Sequence, residues 1–302
     1  MNHRNCRTSF RRWLTRFFCL RTLLIFIVTI PCVESGYANK NKLILLTLNI
    51  RYDNENDGIN RWESRKERIF RFLRNNKADV VCLQEVLHNQ LLDLTSTLNE
   101  YSYVGFGRVD GHTMGEYTPI LFLKKKYEKV DSGVFWLSEC PDSIGSVGWD
   151  ASLPRIATWV KLKLINSNKM VVVVNTHLDH IGKKAKLRSS LLIKNWIKVH
   201  ASNNPVILTG DMNSFANSDV YCSFLEKGIT MNDVYKVASH RKGVDFTFHD
   251  FGRLEVENRR MIDFVFVSKE FRPVSVNIPF VDKGDNIFLS DHNPILAILR
   301  MK

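Results

Sequence analysis

The stretch VVVVNTHLD, residues 171–179, is a run of valines that ends on a histidine. The run predicts a buried β-strand, where burying an unpaired polar group costs roughly 2 to 7 kcal/mol, so packing does not explain the histidine. Four other apolar runs also end on, or enclose, a polar residue. Outward from His177, these residues are Asn49, Glu85, the pair Asp211 and Asn213, and Asp263. Together with the cluster SDHNP at 290–294, they predict a hydrolytic metal site.

Apolar runs alternate with helical patterns along most of the chain. The predicted strands cover residues 43–48, 80–83, 119–123, 133–137, 156–162, 170–174, 206–208, 262–267 and 295–299. The predicted helices cover residues 62–73, 88–98, 183–200 and 218–226. No repeat or linker divides residues 39–302, so we expect one layered α/β domain in which two sheets face each other.

The composition is that of an ordinary globular protein. The 302 residues are 44% hydrophobic and 25% charged, which excludes disordered and fibrous classes. Length alone allows one large domain or two small ones. The formal net charge of +12 favours polyanions such as nucleic acid or acidic lipid headgroups. A basic surface that only aids solubility is an equal alternative, so the charge does not choose a substrate.

Residues 1–38 have the layout of a secretory signal. Six arginines are followed by the apolar run LLIFIVTI at 23–30 and by the small residues Ser35, Gly36 and Ala38. The apolar run is shorter than the roughly 20 residues that span a membrane. We therefore expect a signal peptide, which places the protein in the secretory pathway or outside the cell. The alternatives are a signal-anchor, which would bring membrane contact, and an arginine-rich organelle presequence.

Cleavage of this leader would remove six arginines and Glu34, which lowers the net charge from +12 to +7. Three of the six cysteines also lie in the leader, and the others are Cys82, Cys140 and Cys222. An odd count allows at most one internal disulfide, and no zinc spacing is present. Cys82 lies in an apolar run, where it is expected to pack as a small hydrophobe.

Two of the strand ends carry candidates for proton transfer and water binding. His177 is a candidate general acid if a carboxylate orients it, and Glu116 in the motif GEY could supply that carboxylate. A lone histidine is more often a satisfied core or surface group. Asp211 and Asn213, two residues apart, are expected on one face beyond a strand, where they could hold water or a phosphate oxygen near a metal. A plain turn is the alternative for this pair.

The remaining candidates are charged residues in apolar surroundings. Asp263 lies within an apolar strand and needs a partner, for which His292 is the natural choice. Its neighbour Asp291 is expected to face a metal or water while His292 meets the phosphate. Arg155 is a candidate for a bidentate grip on a phosphate, with a surface ion pair as the alternative.

Asn49 and Glu85 are hard oxygen donors, the type that Mg²⁺ prefers. Zinc would require more histidine or cysteine ligands. These donor types favour Mg²⁺ as the cofactor.

Seven short motifs follow one another along the chain. They are LNIR at 48–51, LQEV at 83–86, GEY at 115–117, NTHL at 175–178, GDMN at 210–213, RMIDF at 260–264 and SDHNP at 290–294. In this order they resemble the endonuclease/exonuclease/phosphatase superfamily over residues 43–299. The resemblance implies a four-layer α-β-β-α sandwich with two facing, mostly antiparallel or mixed sheets. It also implies one or two divalent ions, Mg²⁺ or Mn²⁺, and hydrolysis of a phosphate ester by an activated water.

The resemblance assigns roles on the metal side of the site. Glu85 would be the principal metal ligand, Asn49 would assist it, and Asp291 would complete the set. Asp211 and Asn213 would orient the water and the phosphate.

It also assigns the residues that face the scissile bond. His177, held by Glu116, is similar to the histidine that protonates the leaving oxygen in the pancreatic deoxyribonuclease-like branch. Arg155 matches the phosphate-gripping arginine of that branch. His292, with Asp263 behind it, would act as the base or as a donor to the transition state. Which histidine is the acid and which is the base stays open.

Departures from other branches narrow the substrate. His177 argues against abasic-site repair nucleases, and Thr209 stands where inositol polyphosphate 5-phosphatases carry a tryptophan. The stretches 61–66, 131–137 and 148–159 resemble a poorly characterised branch of the superfamily.

The leading hypothesis is a monomeric Mg²⁺-dependent phosphodiesterase or nuclease whose partner is a phosphate ester, with nucleic acid as one candidate. A sphingomyelinase-like lipid phosphodiesterase and a phosphomonoesterase are the enzymatic alternatives. A non-catalytic binding module on the same fold ranks below them, because none of the expected catalytic side chains is missing.

Overall fold

The computed structural model of the protein describes residues 41–226, 231–281 and 284–302. The predicted leader, residues 1–38, lies outside them. The strands are β1 Lys42–Asn49, β2 Val80–Gln84, β3 Tyr101–Val104, β4 Ile120–Leu123, β5 Tyr127–Trp136, β6 Ile156–Leu164, β7 Met170–His177, β8 Val206–Asp211, β9 Asn232–Asp233, β10 His240–Gly243, β11 Asp263–Val267, β12 Phe271–Ile278 and β13 Ile295–Met301. The α-helices are α1 Trp62–Asn76, α2 His88–Thr97, α3 Lys183–His200, α4 Asp219–Leu225 and α5 Val234–Val237. None of the helices in these ranges has the length and apolarity to cross a membrane.

The strands form two mixed sheets. The first has seven strands in the order β10-β12-β13-β1-β2-β4-β3, and the second has six in the order β5-β6-β7-β8-β11-β9. Most neighbouring strands are antiparallel, but β10 is parallel to β12, β1 is parallel to β2 and β7 is parallel to β8. The last two pairs bring consecutive strand ends to the same edge of each sheet. The predicted pair of facing, mixed sheets is confirmed.

Three apolar clusters show that the domain has four layers. One cluster fills the space between the two sheets and takes Leu43 and Leu45 from β1 and Val171 and Val173 from β7. A second packs α1 and α2 against the outer face of the first sheet, and a third packs α3 and α4 against the outer face of the second. Successive side chains of a strand alternate between these faces. The predicted α-β-β-α sandwich is therefore present.

The predicted elements are present in the structure, but β3, β9, β10, β12 and α5 were not predicted. β12 was not predicted, because the sequence FRPVSVNI alternates poorly and contains Pro273, which lies at a register shift in the ladder with β13. β10 was missed because all four of its residues are exposed and polar or glycine. β8 continues through Asp211, three residues beyond the predicted end.

Two fully buried amide side chains join the sheets directly below the strand ends. The Gln84 amide donates to the Asn175 side-chain oxygen at 2.7 Å and to the Thr47 hydroxyl at 3.1 Å. The Asn175 amide in turn donates to the main-chain oxygens of Leu83 and Pro119 in the opposite sheet. Hydrogen bonds are directional, unlike apolar contacts, so these bonds set the position of one sheet relative to the other.

A buried arginine joins two segments that carry predicted site residues. Arg65 of α1 is 0% exposed, and its guanidinium donates to four main-chain oxygens, those of Ile50, Arg51, Asn60 and Leu289. The first two follow β1 and Asn49, and the last precedes Asp291. Burial lowers the pKa of Arg65 to about 10, so it stays charged at neutral pH. One cation therefore holds both segments in place.

Asn175→Ala should lower the free energy of unfolding by roughly 1 to 3 kcal/mol, because the buried Gln84 amide loses its partner. Urea unfolding followed by tryptophan fluorescence measures the difference. Asn195→Ala, at an exposed position of α3, is the matched control and should change stability by no more than about 0.5 kcal/mol. Equal unfolding midpoints for the two variants would contradict the role of Asn175 as the link between the sheets.

Candidate active site

Three neighbouring strands of the second sheet end side by side on polar residues. His177 on β7 is paired in register with Asp211 on β8, and Asp211 is paired with Asp263 on β11. Strand alternation turns all three side chains toward the first sheet, because Val171 and Val173 already face that way. The first sheet contributes Asn49 and Glu85 at the same edge, where the Asn49 amide donates to Asp211 at 3.1 Å. The strand ends of both sheets therefore meet in one cleft.

The predicted contact between Asp263 and His292 is present. His292 Nδ1 lies 2.7 Å from Asp263 Oδ2, and both side chains are buried. Burial lowers the pKa of His292, but the charge of Asp263, its hydrogen bond and the nearby Asp211 outweigh it and raise that pKa to about 10. His292 is therefore a cation at neutral pH, aimed into the cleft by Asp263.

Asp211 is the carboxylate at the centre of the cleft. Its Oδ2 lies 3.5 Å from His177 Nε2 and 3.8 Å from His292 Nε2. Burial, and then the charge of Asp263, raise the pKa of Asp211 to about 7. A carboxylate with this pKa can accept a proton from water near neutral pH.

Asn213 meets His177, although not through strand alternation. Asn213 has a left-handed backbone with φ of 44°, so it lies in a turn after β8 and not in an extended chain. Its backbone N–H donates to Asp211 at 2.9 Å, and its amide nitrogen lies 3.0 Å from His177 Nε2. Asp211 and Asn213 were expected on one face of an extended chain, and that reason is wrong. The turn after β8 nevertheless brings the two residues together.

Glu116 is beside His177 but is engaged by another residue. Arg108 donates two hydrogen bonds to its carboxylate, at 2.8 and 2.9 Å. The distance from Glu116 Oε2 to His177 Nδ1 is 3.8 Å, too long for a hydrogen bond. Burial, followed by the charges of Arg155 and Arg108, lowers the pKa of His177 well below its ordinary value, so the ring is neutral in this structure.

The predicted metal ligands surround a cation that the sequence analysis did not include. Arg51 lies 4.0 Å from Glu85 and 3.9 Å from Asp291. Two carboxylates and an amide are donor types that fit Mg²⁺. The amide nitrogen of Asn49 faces Glu85, however, and its oxygen accepts from the backbone N–H of Arg51. Asn49 would have to turn its amide over to offer its oxygen to a metal.

A second group of potential ligand atoms is more compact. Asp211, Asp263 and His292 have one such atom each within 4.8 Å of one another. The hydrogen bond from His292 Nδ1 already occupies Asp263 Oδ2, so this group offers a metal fewer free oxygen atoms. The residue types and charges therefore fit a divalent ion better beside Glu85 and Asp291.

Arg155 lies at the opposite wall of the cleft. It is 4% exposed, so the alternative of a surface arginine is wrong. Its Nη2 lies 3.0 Å from His180 Nδ1, and its Nε lies 3.4 Å from Asp179. The remaining Nη1 is buried and has no hydrogen-bond partner among the described atoms. Asp179 thus orients a guanidinium that still has a donor to offer.

The cleft has a volume of about 620 Å³ and carries two signs of a functional site. Besides Arg155 Nη1, the buried atoms His177 Nδ1 and Asp263 Oδ1 have no hydrogen-bond partner among the described residues, although such atoms are normally satisfied. Left-handed backbones also recur among non-glycine residues that line it, namely Arg51, Glu85, Asn213 and Asp250. Backbone strain of this kind clusters at active sites and ligand clamps.

Four residues of the site were not predicted, and the sequence held a signal for only some of them. Asp179 lies two residues beyond His177, so alternation along an extended chain could have indicated it. Arg51 follows Asn49 through a left-handed backbone with φ of 59°, which alternation does not predict. His180, which lines the cleft beside Arg155, follows Asp179 directly. Arg108 had no signal, because its pairing with Glu116 depends on how the intervening loop folds back.

Known proteins are similar to this chain in sequence and in fold. The model of the Endonuclease/Exonuclease/phosphatase family matches residues 46–292. A solved endonuclease/exonuclease/phosphatase from Bacteroides vulgatus is 45% identical with a TM-score of 0.83, and the match covers 86% of this chain and 99% of that one. A mannosyl-6-phosphatase from Bacteroides thetaiotaomicron is 33% identical with a TM-score of 0.80, over 85% of this chain and 99% of the other.

Nocturnin of Drosophila melanogaster is 27% identical over 191 residues, which are 57% of this chain and 28% of Nocturnin. The chain spans less than two thirds of the length of the curated relatives it matches.

Asp263→Asn should lower the pKa of His292 and change how stability depends on pH. The folded pKa of His292, about 10, lies above its ordinary value of 6.5. The pair therefore stabilises the fold fully below pH 6.5, and this contribution is lost as pH rises through 10. The difference in unfolding free energy between the parent and the variant should narrow over this range in urea titrations.

The control for this experiment is Asp142→Asn, which changes an exposed carboxylate. The difference in unfolding free energy between the parent and Asp142→Asn should not depend on pH. If the unfolding free energies of the parent and of Asp263→Asn change in parallel as the pH rises, the charged pair is ruled out.

Proposed function

The chain belongs to the endonuclease/exonuclease/phosphatase family, and we propose that it is a Mg²⁺-dependent hydrolase of phosphate esters. One observation carries the proposal. Glu85, His177, Asp211 and His292 come from distant parts of the sequence and from both sheets, yet they line one cleft. Packing does not require buried charges at this place, because each must be desolvated. A reaction in which charge develops on a phosphate does require them.

Glu85 and Asp291 would hold the divalent ion, with Asn49 joining them after its amide turns over. Mg²⁺ fits these oxygen donors best, and Mn²⁺ accepts the same set. When bound, the ion supplies Lewis-acid polarisation of the phosphate and lowers the pKa of a bound water. Arg65 keeps this side of the cleft in place through the main chain on either side of it.

Asp211 is the candidate base for the attacking water. Its raised pKa suits proton transfer near neutral pH, and Asn213 fixes its orientation through a backbone N–H. His292 is held as a cation by Asp263 and would stabilise the negative charge that develops on the phosphate.

His177 is the candidate donor to the leaving oxygen. It is neutral in this structure, so a bound phosphate must first raise its pKa, as a nearby negative charge does. Glu116, 3.8 Å away, adds to this effect once the ring is protonated. Arg155 has an unpaired donor nearby and would grip a phosphate oxygen.

We favour a phosphodiesterase or nuclease within this reaction class. The cleft is open toward a second cavity, with which it shares His180, Asn213, Phe248 and Ile262, so the scissile phosphate need not be terminal. A phosphomonoesterase acting on a sugar phosphate is the second candidate. The mannosyl-6-phosphatase that is 33% identical over almost its whole length supports that alternative.

The proposals for location and assembly rest on the sequence of residues 1–38 and on the lining of the cleft. The basic and apolar order of residues 1–38 supports a protein of the secretory pathway, with membrane contact if the segment is retained. We propose that the enzyme acts as a monomer, since the cleft draws all of its residues from one chain.

The protein should hydrolyse phosphate esters with Mg²⁺ and lose this activity with a chelator. A panel of bis(p-nitrophenyl) phosphate, an oligonucleotide, mannose 6-phosphate and sphingomyelin identifies the substrate class. Glu85→Gln should remove most metal-dependent turnover, because the amide keeps the size of the side chain but loses the negative charge that would hold the ion.

Thermal unfolding of Glu85→Gln should match that of the parent, which separates a lost ligand from a lost fold. Turnover that survives both the chelator and Glu85→Gln would refute the metal-dependent reaction.

His177→Ala should reduce kcat by roughly 10² to 10⁴, the range for a positioned proton donor. The loss should be smallest on substrates with a good leaving group, which need no protonation. Steady-state rates on p-nitrophenyl and alkyl esters make this comparison, and His200→Ala, at an exposed position of α3, is the control. An equal loss on both esters would show that His177 does not protonate the leaving oxygen.

A further inference from the structure

A second cavity of about 970 Å³ adjoins the catalytic cleft. The two share Asn213 and His180, which contact the candidate acid and Arg155 respectively, and Phe248, whose ring lies 5.0 Å from that of His292. A substrate whose phosphate lies beside His177 could therefore continue into this cavity. We call it the basic groove, and it is bounded by the first two turns of α3, by residues 214–220 after β8, and by the segment 254–262 before β11.

The charge of the basic groove is one-sided. Its cations are Lys183, Lys184, Lys186, Arg188 and Arg260, and its one carboxylate is Asp219. Neither Lys183 nor Arg188 forms an ion pair within the described residues, so neither charge is neutralised by the fold. Lys186 donates to the main-chain oxygen of Asn213 at 3.0 Å, which anchors the groove to the active site. Such a set of cations attracts a ligand with several negative charges.

The groove also offers a flat apolar surface. Phe215 lies two residues beyond Asn213 and is 57% exposed, although it is a large aromatic side chain. Phe248 forms the boundary with the catalytic cleft. Leu187, Leu254 and Ile262 add apolar surface between the cations. Aromatic rings within a basic groove are the combination that binds single-stranded nucleic acid, because bases stack on the rings while phosphates meet the cations.

We propose that the basic groove binds the part of a single-stranded nucleic acid that adjoins the scissile phosphate. This inference rests on the proposed hydrolysis of phosphate esters and specifies its substrate. The phosphates meet Lys183 and Arg188, and a base stacks on Phe215. A duplex would keep its bases stacked on one another and leave Phe215 unused. A neutral sugar attached to a single phosphate would leave the surplus of cations without partners.

Binding can be measured separately from turnover. In the full-length Glu85→Gln protein, a fluorescently labelled oligothymidylate should bind with an affinity that falls steeply with salt. Lys183→Gln combined with Arg188→Gln should weaken binding about tenfold and reduce the slope of log Kd against log salt by about 1.4, since each phosphate contact on a single strand contributes about 0.7. Phe215→Ala should also weaken binding about tenfold but leave the slope unchanged.

The matched control removes the same number of charges from the same helix. Lys194 and Lys198 lie on α3 outside the groove, so Lys194→Gln combined with Lys198→Gln should leave the Kd within about twofold of the parent. The turnover comparison uses the protein with an intact Glu85. The groove variants should lower kcat/KM on the oligonucleotide about tenfold but leave that on bis(p-nitrophenyl) phosphate unchanged, because this small diester does not reach the groove.

The outcomes separate the two proposals. Hydrolysis of the small diester together with equal oligonucleotide binding by the parent and both groove variants overturns the nucleic-acid groove and leaves the phosphoesterase intact. The absence of salt-dependent oligonucleotide binding, or a preference for mannose 6-phosphate that the groove variants do not alter, overturns it as well. Failure to hydrolyse any ester defeats the proposed function, while the binding measurement still decides what the groove holds.

Discussion

The hydrogen bonds that the Gln84 and Asn175 amides form between the two sheets are the constraint on which the arrangement of the site depends. Each sheet by itself brings its strand ends to one edge, but apolar contacts between two sheets resist sliding only weakly. The two amides lie immediately before Glu85 and two residues before His177, so they fix the sheets where the catalytic side chains begin. Because Asn49 of the first sheet reaches Asp211 of the second over 3.1 Å, a shift of one ångström between the sheets would break this contact.

The pairing of opposite charges explains why so many charged side chains are tolerated in a buried cleft. Desolvation opposes each of them, and each is offset by a partner of opposite sign, as Asp263 offsets His292 and Arg108 offsets Glu116. The offsets are incomplete at His177, Asp263 and Arg155, which keep buried atoms without hydrogen-bond partners among the described residues. Incomplete pairing costs stability but leaves donors and acceptors ready for a phosphate, so the groups need not reorganise when charge develops.

The sequence predicted the layers and the strand-end residues because both follow from local periodicity and from the cost of burying polar groups. It could not predict partners that depend on loop geometry. Arg108 meets Glu116 only because residues 107–116 fold back, and Asn213 reaches His177 only because its backbone is left-handed. Arg65 looked like one of several basic residues of an amphipathic helix, and only the three-dimensional structure shows that it is fully buried and bonded to main-chain oxygens. A side chain that donates hydrogen bonds to the main chain of other segments, as Arg65 does, has no recognisable pattern in the sequence.

The two proposals assign chemistry and substrate choice to different parts of this fold. The reacting groups stand at the ends of strands whose positions are fixed by two sheets and by buried amides, and changing them would disturb the core. The basic groove is built from the exposed start of α3 and from the loop after β8, where Lys183, Arg188 and Phe215 make few contacts that the fold requires. Surface substitutions of this kind change stability little. The fold can thus exchange one substrate for another while keeping its catalytic cleft, so the groove, more than the reacting groups, should distinguish this enzyme from relatives that share its chemistry.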